Sequence, residues 1–295
     1  MAFANLILLT SWLPAAPRVP LAAWFTLVHL AALALPSLLA RADRPLSPVT
    51  RLLREIYPLL WAAAFWSELG LRNGVLPSMS NDGLVAGWDQ ALFGTHLNVT
   101  WIGAMPWVPL SELMQSAYFS YYLMLAAIPI ALWWTRGSEE SRREIVLRVA
   151  VTYLGCFVIY SYFPVVGPRE LWPIHDGELV QGFFYRLNLA LRTAGDSLGT
   201  AFPSSHTAGA ITFAWIATRI APKRVATGVS ILAALIAAAT VYTQNHFAVD
   251  TVAGVAVAVV LQGVVVPHLL TGSMPAVAAP ASSPVLVPQE LSEAA

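Results

Sequence analysis

The chain is short of the things that would place it in water or in an oxidised compartment. It has one cysteine, Cys156, so no intrachain disulfide forms. Charged residues make up only 11% of 295 positions, sixteen basic against sixteen acidic, and no basic block exceeds a few residues. A nucleic-acid surface is therefore not indicated. No internal repeat stands out. No Lys or Arg precedes the first apolar stretch, which ends in proline ahead of Arg18, so it fits a cleaved signal peptide poorly and is read as an interfacial segment over 1–20. What the chain has instead is apolar surface: 57% hydrophobic residues and a mean hydropathy of +0.65. Membrane-length apolar runs lie at 21–40, 55–72, 115–134, 145–165, 204–220, 225–243 and 247–269.

These runs predict an all-α, polytopic membrane bundle of about six core spans plus an N-terminal extra span, with interfacial helices on one face. The membrane-embedded domain is expected over 21–270, and a disordered tail over 271–295, where Pro275, Pro280, Pro284 and Pro288 interrupt Ala, Ser and Val. Eleven of the sixteen basic residues, among them Arg51, Arg142, Arg143, Arg219, Lys223 and Arg224, fall in or beside the connections after spans one, three and five. Lys and Arg accumulate on the cytoplasmic side. The opposite connections then face periplasm or extracellular space, and the tail is cytoplasmic. On that outer side, 179–192 sets Val180, Phe183, Phe184, Leu187 and Leu191 on one helical face with Arg186 and Asn188 elsewhere, as in a helix lying among headgroups. Residues 78–110 carry Trp88, Phe93, Trp101 and Trp107 and are expected at the same interface.

Three outward-facing segment ends carry the chemistry. His246 and Asp250 are four apart, so on a helix the carboxylate reaches one ring nitrogen and leaves the other basic. Such a histidine is a nucleophile toward phosphorus or a general base. Ser204, after Pro203, is a natural N-cap, and the amides of Ser205, His206 and Thr207 would then point out of a helix start toward an anion. Arg169, in Val165-Val166-Gly167-Pro168-Arg169, brings a permanent cation with the fork geometry that suits phosphate. Each feature has an ordinary counterpart: a boundary histidine as an interfacial residue, Pro-Ser as plain capping, Arg169 as a headgroup anchor. Their coincidence on one face favours a shared site. His96 and His175 read as solvated loop histidines, Glu68, Asp82 and Asp89 as capping or turn residues, and His29 and His268 lie away from the converging ends.

Phe202-Pro203-Ser204-Ser205-His206 resembles the second signature of the type 2 phosphatidic acid phosphatase superfamily, His246 with Asp250 the third, and Gly167-Pro168-Arg169 falls where the first signature has its arginine. The resemblance covers roughly 55–269. It implies a metal-independent enzyme, without cofactor, in which His246 forms a phosphohistidine, Asp250 orients it and His206 protonates the leaving oxygen. Arg169, Ser204 and Ser205 would bind the phosphate. Tyr162 and Thr240 stand where those signatures place cations, and Asn245 where a second histidine often precedes the nucleophile. The pattern looks closer to the inositol phosphorylceramide synthase and sphingomyelin synthase branch, whose substrates are phosphodiesters. The implied partners are a lipid phosphoester and membrane lipids. With water as acceptor the enzyme is a lipid phosphatase, and with an alcohol a phosphotransferase. The competing class is a non-enzymatic carrier using His206, His246 and Asp250 as a proton relay, which needs no anion cradle.

Overall fold

The computed structural model describes residues 10, 12, 23–31, 47–75, 80–135 and 138–272. The interfacial segment expected over 1–20, most of the first span and nearly all of the 271–295 tail lie outside the described residues. Every element among the described residues is helical, and the one extended contact is an isolated parallel bridge between Val165 and Thr200.

Helix α1, Pro48–Val75, starts behind Ser47, whose hydroxyl accepts the Thr50 amide at 3.2 Å, and has proline at its first position. Helices α2, Asp82–Phe93, and α3, Leu97–Ala104, are short; Gly94 closes α2 in the left-handed conformation that glycine adopts without strain. The span expected at 115–134 starts earlier and is broken. Helix α4, Val108–Ala126, meets α5, Ile128–Trp134, at a 43° bend, because Pro129 cannot continue the amide ladder. Helix α6, Glu139–Tyr162, is capped by Ser138 and opens on Glu139 and Glu140, which suit the positive end of its dipole. After two 3-10 turns, Pro168–Glu170 and Gly177–Val180, come α7, Phe183–Gly195, α8, Ser205–Ile220, and α9, Lys223–Tyr242. Helix α10, Ala248–Val260, runs through a π turn at Leu261–Val265 into α11, Val266–Gly272.

Among the described residues, three helices are long and apolar enough to cross a membrane by themselves, Glu139–Tyr162, Lys223–Tyr242 and Ala248–Thr271, and the bent α4–α5 pair makes a fourth. Two more expected spans fall short of that measure for visible reasons. Helix α1 carries Arg51, Arg54, Glu55, Glu68 and Arg72 along its length. Helix α8 has 16 residues, about 24 Å against a hydrocarbon core of about 30 Å.

Helix α8 is the hub, packed on α6, α9 and α10, while α1 lies on α6 and α4 lies on α7 and α9. The α8–α10 contact is closest at Gly254, where a Cβ would come within 2.6 Å of the Ser204 carbonyl. Only glycine permits that approach, and it draws the starts of the two histidine-bearing helices together. At the other end, Arg142 pairs with Glu55, and Glu144 holds both Arg148 and Arg219. Arg148, one of the eleven basic residues assigned to the cytoplasmic connections and their flanks, is buried: its guanidinium also donates to Gln262, whose amide reaches Thr152, which bonds to Thr212. A buried charge is tolerable here because its donors find acceptors.

Candidate active site

Helix α9 ends at Tyr242, and the chain reverses through Thr243, Gln244 and Asn245 with Gln244 at φ 57°, a left-handed conformation that is costly for a side chain. Several contacts hold it there. The amides of Asn245 and His246 both donate to the Thr240 carbonyl, and the His175 amide donates to the Gln244 side chain at 3.0 Å. Arg169 donates from Nε to the Gln244 carbonyl at 3.0 Å and from Nη2 to the Thr243 carbonyl at 2.9 Å. Two of its three nitrogens thus brace the turn that presents His246. Its Nη1 is buried without a hydrogen-bond partner.

His246 then enters α10. Its Nδ1 lies 2.9 Å from the Ala201 carbonyl and 3.4 Å from Asp250 Oδ2. Both neighbours are acceptors, so Nδ1 carries the hydrogen and Nε2 keeps its lone pair. The carboxylate expected to orient the ring is present, but the shorter contact is to the main-chain carbonyl. Asp250 is fully buried, accepts the Phe247 amide at 2.9 Å in the manner of a capping box, and offers its own carbonyl to the Ser204 amide at 2.9 Å. That last bond ties the two helix starts directly.

Ser204 caps α8 by accepting the Thr207 amide at 3.3 Å and is itself buried. Its hydroxyl is therefore committed, and the Thr207 amide, one of three expected to face an anion, is closed. Ser205 and His206 line a cavity of about 480 Å³ between α1, α4, α6 and α7. The His206 ring stacks on Tyr118 at 4.7 Å and lies tilted against Tyr121 at 4.3 Å, with its centroid 5.7 Å from that of His246. Neither of its ring nitrogens has a hydrogen-bond partner among the described residues. The structure thus brings His206, His246, Asp250 and Ser205 together, with Arg169 behind the His246 turn.

The cavity walls are mostly apolar, from Leu59, Ala62 and Trp66 to Val149 and Phe157, and His206, Arg192 and Asp196 are the ionisable groups that line it besides tyrosines. Ile128, at the α4–α5 break, and Val149 also line a second, apolar cavity of about 440 Å³ that runs toward the basic end of the bundle. A third space of about 10 Å³, room for about one water, is bounded by Arg169, Arg192, Tyr118 and Asn245.

Residues set aside in the sequence prove to be supports. Asp82 accepts the Val166 and Gly167 amides and so fixes the approach to Arg169, and Asp89 accepts the Val249 amide at the start of α10. His96 lies 3.5 Å from Asp89 and packs at a tilt against Trp172, while Glu68 is bonded to Trp12 and His29. Asn188, expected off the apolar face of a helix lying among headgroups, is buried and donates to the Gln115 side chain and carbonyl. Tyr118, Tyr121, Arg192 and Asp196 were not singled out from the sequence. Their only signal was a tyrosine-rich stretch within a span and an Arg-x-x-x-Asp spacing where α7 ends.

Residues 85–264, more than half of the chain, match the PAP2 superfamily, and the protein belongs to it. Membership supports an integral membrane enzyme of the lipid phosphatase or phosphotransferase type. Comparison with characterised proteins and with solved structures returns no match.

Proposed function

We propose that this protein transfers a phosphoryl or phospho-headgroup unit from a lipid phosphoester to an acceptor hydroxyl through a phosphohistidine at His246, in the manner of inositol phosphotransferases. The observation that carries this reading is the pair of acceptors around His246 Nδ1: the Ala201 carbonyl at 2.9 Å and Asp250 Oδ2 at 3.4 Å call for the hydrogen on Nδ1, which leaves the Nε2 lone pair as the free nucleophile. Nε2 attacks phosphorus, the bond to the leaving oxygen breaks, and His206 gives that oxygen a proton. In the second half, neutral His206 takes the proton of the acceptor hydroxyl as its oxygen attacks phosphorus and the P–N bond to His246 breaks. Asp250 and Ala201 stabilise the positive ring that forms in between. Arg169 Nη1 and the Ser205 start of α8 bind phosphate oxygens. The apolar cavity that ends at His206 suits the hydrocarbon part of the donor.

The preference for a diester rests on cation number. Tyr162 is 57% exposed and Thr240 bonds its hydroxyl to Thr251, so neither position supplies a charge. A phosphodiester carries one negative charge where a monoester carries up to two. The test is incubation of the purified protein in vesicles with labelled phospholipids, with and without ceramide, diacylglycerol or inositol. An alcohol-dependent new phospholipid is expected. Release of the phosphorylated headgroup or phosphate whatever alcohol is present would make water the acceptor and the protein a phosphatase. No donor consumption would leave the proton-relay carrier.

The same reading places the site on the outer face, opposite Arg142, Arg219, Lys223 and Arg224. Asp176 and Ser138 are exposed at opposite ends of the bundle, and the native Cys156 is buried. Cysteine introduced at Asp176 should react with an impermeant thiol reagent on intact cells, and cysteine at Ser138 only after permeabilisation. The reverse pattern would put the site in the cytoplasm.

A further inference from the structure

The polar end of the large cavity holds a cation that no signature contains. Arg192 lies in the last turn of α7, the helix laid across α4 on the outer side. It borders the 480 Å³ cavity together with Ser205 and His206, and it also borders the small chamber together with Arg169 and Asn245. Tyr118, stacked on His206, is the other residue common to both spaces. Among the described residues no hydrogen bond or ion pair holds the Arg192 guanidinium. Asp196, one turn further on and facing the same cavity, is near enough to act on it electrostatically without closing an ion pair. Arg169 is the opposite case, with Nε and Nη2 fixed on the carbonyls that precede His246.

We infer that Arg192 is a phosphate-binding residue of this site, contacting the non-bridging oxygens of the group held between His206 and His246, while Arg169 chiefly braces the His246 turn. This rests on the transfer reading above. The physical case is one of availability. A guanidinium that meets no acceptor among the described residues and lines a largely apolar cavity gains most from an anion that supplies one.

The test uses the full-length protein in detergent or vesicles, bis(p-nitrophenyl) phosphate as substrate and inorganic orthovanadate as a phosphate-site ligand. Arg192→Gln should raise KM about ten- to a hundred-fold with a smaller change in kcat, as expected for one charge-assisted contact, and weaken vanadate inhibition by a similar factor. Arg192→Lys should recover part of both. Arg186→Gln, on the same helix but exposed, should change neither. Wild-type KM and vanadate inhibition in Arg192→Gln, or a lysine variant no better than glutamine, would overturn the inference. Vanadate binding is also read without turnover, as a rise in the thermal unfolding midpoint. A wild-type protein that turns over nothing but shows that rise, lost in Arg192→Gln, would remove the transfer reading and keep the anion site. No rise in the wild type would remove Arg192 from the site.

Discussion

His246→Ala is expected to abolish turnover of every substrate, lipid or nitrophenyl ester, by on the order of 10⁵-fold or more. The loss should be general because the substitution removes the atom that bonds to phosphorus, and no other imidazole is presented in the same way. The fold should survive, since the His246 amide still donates to the Thr240 carbonyl and the turn keeps its Arg169 contacts. The direct measurement is brief incubation with a lipid labelled in its phosphate, followed by an acid or alkaline quench. Wild-type protein should retain label that is lost in acid and kept in alkali, as a phosphoramidate behaves, and His246→Ala should retain none. Asp250→Asn is the informative neighbour. If the carboxylate alone fixed the tautomer, the loss would approach the 10⁴-fold seen when a triad aspartate is neutralised. Here the Ala201 carbonyl holds Nδ1–H at 2.9 Å, so the lone pair stays on Nε2 and a loss of about ten- to a hundred-fold is expected, with the phosphoenzyme still detectable. Full activity in His246→Ala would remove the covalent mechanism.

The parts of this molecule that could be read from the chain are those written in local grammar. Ser138 and Ser204 cap helices because a hydroxyl in that position reaches an amide three residues on, wherever the helix goes. The His246–Asp250 spacing works for the same reason. The break at Ala127 was also local, since Pro129 announces it, but the apolar run continues on both sides and its length reads as one span. What the chain did not disclose is which main-chain group meets which side chain across the bundle. Nothing in Ala201 marks its carbonyl as the closest partner of His246, and nothing in Arg169 says that two of its nitrogens meet Thr243 and Gln244. Asn188 was misplaced because amphipathic periodicity sorts residues by polarity, and a polar residue facing Gln115 belongs to the packed side. Arg192 reads as one more interfacial arginine until α7 is laid over α4. Then it borders the same space as His206.

His206→Ala separates proton donation from binding, and its effect should depend on the leaving group. A lipid alkoxide is a poor leaving group without a proton, so turnover of a lipid phosphodiester should fall by on the order of a hundred- to ten-thousand-fold. Nitrophenolate leaves unaided, so on bis(p-nitrophenyl) phosphate the first step should lose much less, and labelled phosphoenzyme should accumulate if the acceptor can no longer be deprotonated. The structure sharpens this expectation. The His206 ring packs against Tyr118 and Tyr121, and its two nitrogens meet no hydrogen-bonding group among the described residues. A proton carried there is shared with no carboxylate or carbonyl, which leaves the substrate oxygen as its recipient. An imidazole that only bound phosphate would serve both substrates equally. The comparison is therefore the ratio of the two losses, with His206→Gln alongside to keep a hydrogen-bond donor in the same aromatic slot. Glutamine donates a hydrogen bond but no proton, so it should restore little of the lipid activity. Equal losses on both substrates, recovered by glutamine, would make His206 a phosphate ligand and assign protonation of the leaving oxygen to another group.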